Sequence, residues 1–292
     1  MAEASGASSV ATGAATRQRL PWLALAILAL FAGVALAAPW LAPHDPEIGR
    51  LAMRFKPPAW VEGGTTRHLL GTDHQGRDVL SRLIFGARIS LAVGVAAVLV
   101  AGVFGTLLGM LAGYFRGWVD QVISRIIDAW LALPSLVFAI FLAALTTPSA
   151  GNIVLILSVV YWTRYARVVR GEVLSLGTRD FVLLARVAGV TPLRILWRHI
   201  LPNIMNTTVV LATLMLGVVI VTEASLSFLG VGVPPPQPAW GLMLADGKKG
   251  LMTGYWWLTV FPGLAIMLVV LAASLAGDWL RDRLDPRLTV NA

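Results

Sequence analysis

Six apolar runs divide this chain, each long enough to be read as a helix crossing a lipid bilayer. They cover residues 20–42, 90–112, 118–145, 153–169, 206–228 and 257–276. A hydrocarbon core of ~30 Å needs about 17–25 helical residues. Strands are excluded for such runs, because an unpaired backbone group in lipid costs several kcal/mol. Between the runs the chain is polar. Residues 43–89 carry Pro43, Pro46, Pro57 and Pro58 as turn markers, residues 229–256 form a second long connection, and residues 170–203 are basic and amphipathic. The pattern predicts an all-α integral membrane protein. Residues 1–19 form a disordered tail, 20–42 a first span, 43–89 an outer segment, 90–277 a core of five spans with an inner loop at 170–203, and 278–292 a C-terminal tail. The first run reads as an uncleaved helix, although Ala35-Leu36-Ala37 has the small-x-small form of a cleavage site.

Composition sharpens this picture. Hydrophobic residues make up 57% of the 292 and charged residues 13%, about half the usual share of a soluble domain. The net charge of +8 comes largely from arginines that orient the spans, so it does not point to nucleic acid. Arg164, Arg167, Arg170, Arg179, Arg186, Arg194 and Arg198 mark the cytoplasmic side, and an even span number places both termini there. Arg50, Arg54, Lys56, Arg67, Arg77, Arg82 and Arg88 on the outer segment weaken the bias. There is no cysteine, and the four histidines lack ligand spacing, which argues against a metal site. No G-x-x-x-x-G-K-[ST], H-E-x-x-H or G-x-S-x-G stretch occurs, so neither a phosphate-cradling loop nor a hydrolase motif is present.

Local features carry further expectations. Gly71, Thr72, Asp73, Gly76, Arg77 and Asp78 read as a turn capping a helix that begins near Val79, with an acid–base pair nearby, and equally as an outer surface for direct contact with another protein. Ala97, Ala101, Gly105, Gly109 and Gly113 recur every four residues as a stripe for close helix packing. Asp128 is placed inside the third span, paired with Arg125 across one turn, and Glu223 near the outer end of the fifth. Carboxylates at such depth are candidates for a pathway or gate, alongside Ser227 and Phe228. Glu223 has a second reading, as a group bonding backbone at the break before Gly230. Trp240, Trp256 and Trp257 are expected in an interfacial belt or an outer re-entrant loop.

The basic stretch DFVLLARVAGVTPLRILWRHILPN, residues 180–203, resembles the EAA loop of permease subunits in binding-protein-dependent ABC importers. The resemblance rests on Ala185, Gly189 and Leu201-Pro202, with Gly189 and Pro192 dividing the stretch into two short helices. Leu183 and Leu184 stand where the family has glutamate and alanine. Five further stretches resemble the second permease of oligopeptide, dipeptide and nickel importers: residues 68–91, 126–136, 165–176, 223–241 and 262–287, with Ser274 in place of an asparagine. The resemblance implies a six-helix type I ABC importer permease bundle in the bacterial plasma (inner) membrane. It implies a second permease subunit as heterodimer partner, two P-loop ATPase subunits and an extracytoplasmic substrate-binding protein. ATP and Mg would be held by the ATPases, with no cofactor on this chain. Ala185, Arg186, Gly189, Pro192, Arg194, Arg198, His199, Leu201 and Pro202 would make the ATPase-coupling loop. Di- or oligopeptides are the implied cargo, with nickel chelates, glutathione or sugars as close alternatives. A stand-alone secondary transporter or channel is the rival of another class.

Overall fold

The computed structural model describes residues 21–284, the side chain of Lys249 aside. The expected tail at 1–19 and the last residues of the C-terminal segment lie outside the described residues. Among the described residues the regular structure is helical, apart from one isolated bridge between Thr72 and Asp78. Helix α1 spans Trp22–Leu36, and Pro39 then starts a four-residue α2, Ala38–Leu41. The outer segment contains a single 3-10 turn at Leu51–Met53. Helix α3 runs over Val79–Phe115 and starts where the turn motif places it, with the Asp78 carboxylate accepting the Ser81 N–H. It is longer than expected, since residues 79–89 belong to the helix and not to the outer loop.

The third apolar run is two helices. Helix α4, Gly117–Leu131, and α5, Ser135–Ala144, meet at an 88° bend. Pro134 accounts for the break: it has no N–H to donate, and its ring pushes the preceding residue away from helical geometry. Helix α6 covers Ala150–Leu176, capped by the Ser149 hydroxyl accepting from the Asn152 N–H. Helix α7, Asp180–Val187, and α8, Pro192–Ile195, form an elbow. The second of the two short helices expected from Gly189 and Pro192 does not stand apart from the span that follows it. Helix α8 passes through a π-helical turn, Leu196–Ile200, into α9, Leu201–Phe228. Pro202 falls in the first turn of α9, where its missing N–H costs little. Helix α10, Trp240–Leu251, lies within the connection that leads to α11, Trp257–Leu284.

Four helical stretches are long and apolar enough to cross a membrane: Val79–Phe115, Ala150–Leu176, Pro192–Phe228 and Trp257–Leu284. The bent α4–α5 pair makes a fifth if taken as one span. Helix α1 is apolar but has 15 residues, about 22 Å at 1.5 Å per residue, and it is interrupted at Ala37 before the short α2.

The centre of the bundle is the contact of α3 with α6, and the small-residue stripe explains it. A Cβ on Gly105 would lie 2.3 Å from the Trp162 carbonyl oxygen, and one on Gly109 2.6 Å from that of Ala166. A Cβ on Gly113 would meet Val173 Cβ at 2.8 Å. The two backbones touch because these positions have no side chain. Tyr165, Ala166, Val169 and Val173 fill the α6 side of the seam and are fully buried.

Candidate functional site

Two sites stand at opposite ends of α9. At its start is the α7–α8 elbow. Helix α7 ends in a Schellman motif: the Gly189 N–H donates to the Arg186 carbonyl at 3.0 Å and the Val190 N–H to that of Ala185 at 3.0 Å. Gly189 has φ +72°, the left-handed conformation this turn requires, and the space around its absent Cβ is open. The inner face of the elbow is anchored. Val182, Ala185, Ile195, Leu196 and Ile200 pack on Met110, Val169 and Val173. The Arg186 guanidinium lies 4.8 Å from the centre of the Tyr114 ring.

The outer face of the elbow is apolar and open. Val187 is 87% exposed, with Leu184, Leu193 and Trp197 also exposed. Arg186, Gly189, Pro192, Arg194, Arg198 and Pro202 are exposed too, while His199 and Leu201 are half-buried and Ala185 is buried. The exposed members of the expected loop lie on the elbow and the start of α9, while Ala185 faces the core, and the elbow is fused to α9 through the π-helical turn. That turn is absent from the sequence pattern, since π-helical pairing leaves no distinct hydrophobic period.

At the other end of α9, Glu223 is fully buried. Its Oε2 accepts from the Ser90 hydroxyl at 3.2 Å and its Oε1 from the Ser227 hydroxyl at 2.8 Å. Ser90 Oγ also accepts the Trp240 N–H at 3.3 Å, and Ser227 Oγ accepts the Val233 N–H at 3.2 Å. Two serines therefore tie one carboxylate to α3, to α10 and to the loop between α9 and α10. Side-chain hydroxyls hold Glu223, not the backbone at Gly230. Gly230, at φ +83°, instead closes α9 with its own Schellman motif. Phe228 is partly exposed at this end, with Lys248 Nζ 5.3 Å from its ring centre.

The pairing expected for Asp128 is corrected here, and the two places expected for the tryptophans are narrowed. Asp128 is exposed on α4 and pairs with Arg167 of α6 at 2.5 Å, not with Arg125. A neighbouring pair, Asp120 with Arg170, ties the same two helices. Trp240 does not stand in a belt but opens α10 inside the connection, fully buried against Phe31, with its indole N–H donating to the Leu83 carbonyl at 3.0 Å. Trp257 is buried likewise and donates to the Thr72 carbonyl at 3.2 Å.

The acid–base pair within the turn was legible in the sequence, but its partner on α10 was not. Arg77 binds Asp73 at 2.7 Å and Asp246 at 3.2 Å, and Arg82 binds the same two carboxylates at 3.3 Å each. Asp246 lies on α10, far along the chain. The blurred charge bias of the outer segment comes in part from these arginines, which the fold spends on buried pairs.

A helical bundle with an exposed elbow, anchored on its inner face, at one end of a long span is the architecture of an ABC importer permease. Residues 105–290 match the family described as binding-protein-dependent transport system inner membrane component. Residues 16–58 match the N-terminal transmembrane domain of oligopeptide transport permease C. The chain belongs to the binding-protein-dependent transport permease family, as a multi-pass inner-membrane subunit and not an enzyme. It is similar to the di/tripeptide transport system permease protein DppC of Pseudomonas aeruginosa, 44% identical over 264 residues, covering 90% of this chain and 87% of that one. It is 46% identical over 266 residues to the dipeptide transport system permease protein DppC of Escherichia coli K12, covering 91% and 88%. Among solved structures, an inward-facing form of the MetNI methionine ABC transporter shares the fold at a TM-score of 0.58 and 19% identity, covering 68% of this chain and 95% of that one. An amino acid ABC transporter crystallised with histidines does so at 0.53 and 16%, covering 70% and 95%.

Proposed function

We propose that this chain is one of two unlike permease subunits that together form a path for di- or oligopeptides, each contributing half of a shared cavity. Two P-loop ATPase subunits dock on the α7–α8 elbows of the pair, and an extracytoplasmic binding protein delivers the cargo. ATP and Mg are held by the ATPases. Both termini face the cytoplasm. The carrying observation is the elbow itself, apolar and basic on its open face and continuous with α9 on the other. ATP-driven closure of the ATPase pair would push on this face. Because α8 and α9 form one helical rod, the push reaches the Glu223 network at the far end of α9. The peptide assignment is supported by the similarity to dipeptide permeases across nine-tenths of the chain.

The test is uptake of a labelled dipeptide and ATP hydrolysis by reconstituted complexes carrying Gly189→Arg. Insertion is expected to survive, and uptake and stimulated hydrolysis to be lost. Gly63→Arg is the matched control, because Gly63 also has a positive φ, +83°, and its Cβ would meet Pro57 Cγ only at an ordinary contact distance of 3.8 Å. Normal coupled uptake in the Gly189→Arg complex would remove the elbow from the motor contact.

A further inference from the structure

At the N-terminal end of α3, three stretches of chain converge on one carboxylate. His44 follows α2, His68 lies in the turn before the Gly71–Asp78 motif, and Asp78 caps α3. His68 Nδ1 lies 2.9 Å from Asp78 Oδ1, and His44 Nδ1 lies 3.7 Å from Asp78 Oδ2. The two imidazole rings are tilted by 37° to each other, with centres 4.7 Å apart. His44 Nδ1 is itself buried and has no hydrogen-bond partner. One ligand atom from each of the three residues fits within 4.8 Å of the others.

We propose that His44, His68 and Asp78 form a binding site for a divalent transition cation, zinc by preference. Nitrogen and oxygen ligands about 2.0–2.2 Å from a tetrahedral zinc stand roughly 3.3–3.5 Å from one another. The two observed separations, 2.9 and 3.7 Å to the two oxygens of Asp78, bracket that value, and with all three ligand atoms within 4.8 Å of one another, side-chain rotation would draw them in around the ion. Two imidazoles and one carboxylate suit zinc, nickel or copper and disfavour magnesium, which demands an oxygen shell.

The site is braced before any ion arrives. The His44 N–H donates to Ser81 Oγ at 3.0 Å, and Ser81 donates through both its N–H and its hydroxyl to Asp78 Oδ2, at 2.8 Å each. Asp78 Oδ1 keeps lone-pair capacity beyond its contact with His68. The residues line a cavity of about 190 Å³ that can supply water as a fourth ligand. Arg50, Arg67 and Asp45 line the same cavity, so the ion would sit beside two cations and a second carboxylate. The wide spacing of the histidines argues against a metal site, and only the fold brings them together. The ion would clip the segment after α2 and the turn at His68 to the start of α3. This reading does not depend on the cargo.

The assembled importer, purified through a histidine-free tag and stripped with chelator, is titrated with zinc chloride. Bound zinc is measured by dialysis and elemental analysis, and the unfolding midpoint of this subunit is followed alongside. Wild type is expected to bind one more zinc per copy of this chain than His44→Ala, and zinc is expected to raise its midpoint alone. Affinity at this site should fall by more than roughly 100-fold in the variant, since even an outer-shell partner is worth about 10–100-fold. His68→Gln can still hydrogen-bond Asp78, so it should fold normally yet lose the zinc. Equal zinc in wild type and both variants, or magnesium competing on equal terms, would overturn the site.

Discussion

Glu223 shows how much one buried side chain can tie together. Both carboxylate oxygens accept serine hydroxyls, and those serines in turn accept the N–H groups that anchor α10 and the preceding loop. Glu223→Gln keeps the volume but presents an N–H₂ where one serine now donates. The complex is expected to assemble with dipeptide uptake reduced severalfold, checked by co-purification and by transport in proteoliposomes. Unchanged uptake would leave Glu223 a structural tie. The outer ion-pair network belongs to the same scale. Arg82 is 1% exposed and shares Asp73 and Asp246 with Arg77. Without Asp246 the two buried guanidiniums would share Asp73 alone, one carboxylate for two positive charges. Asp246→Ala should therefore lower the unfolding midpoint in detergent clearly, whereas Glu62→Ala, on an exposed side chain of the same outer region, should not.

Among the elements, the α3–α6 seam is the most exacting. The carbonyl of Ala166 occupies the place where a Cβ of Gly109 would go, and a backbone atom has no rotamer to escape by. Gly109→Val should separate the two helices and abolish monodisperse expression, read by size-exclusion chromatography. Gly151→Ala, in the first turn of α6 with nothing within 4 Å of its Cβ, should be neutral or slightly stabilising. The period-four spacing of small residues reveals the seam in the sequence, because it depends on one helix alone. The break between α4 and α5 is legible afterwards in Pro134, yet its 88° is not, because proline ends a helix without saying where the next one points.

For the whole molecule, the arginine distribution and the run pattern predict both ends on the cytoplasmic side. The natural absence of cysteine makes this easy to check. A cysteine at the exposed position 62 should react with an impermeant maleimide in intact cells, and one at exposed position 187 only after permeabilisation. The reverse pattern would invert the topology.

The division of labour follows from range. Run lengths, the cap at Asp78, the glycine stripe and the Gly189 turn are set by residues within a few positions of one another, so the sequence alone determined the helical membrane class, the family and the elbow. Partners across long separations were decided only by tertiary structure: Ser90 with Glu223, Arg82 with Asp246, Arg167 with Asp128, and His44 with His68. In each case several candidate charges or hydroxyls stand near in sequence. Which one is chosen depends on how the helices pack, because a buried polar group binds whichever partner the fold holds within about 3 Å.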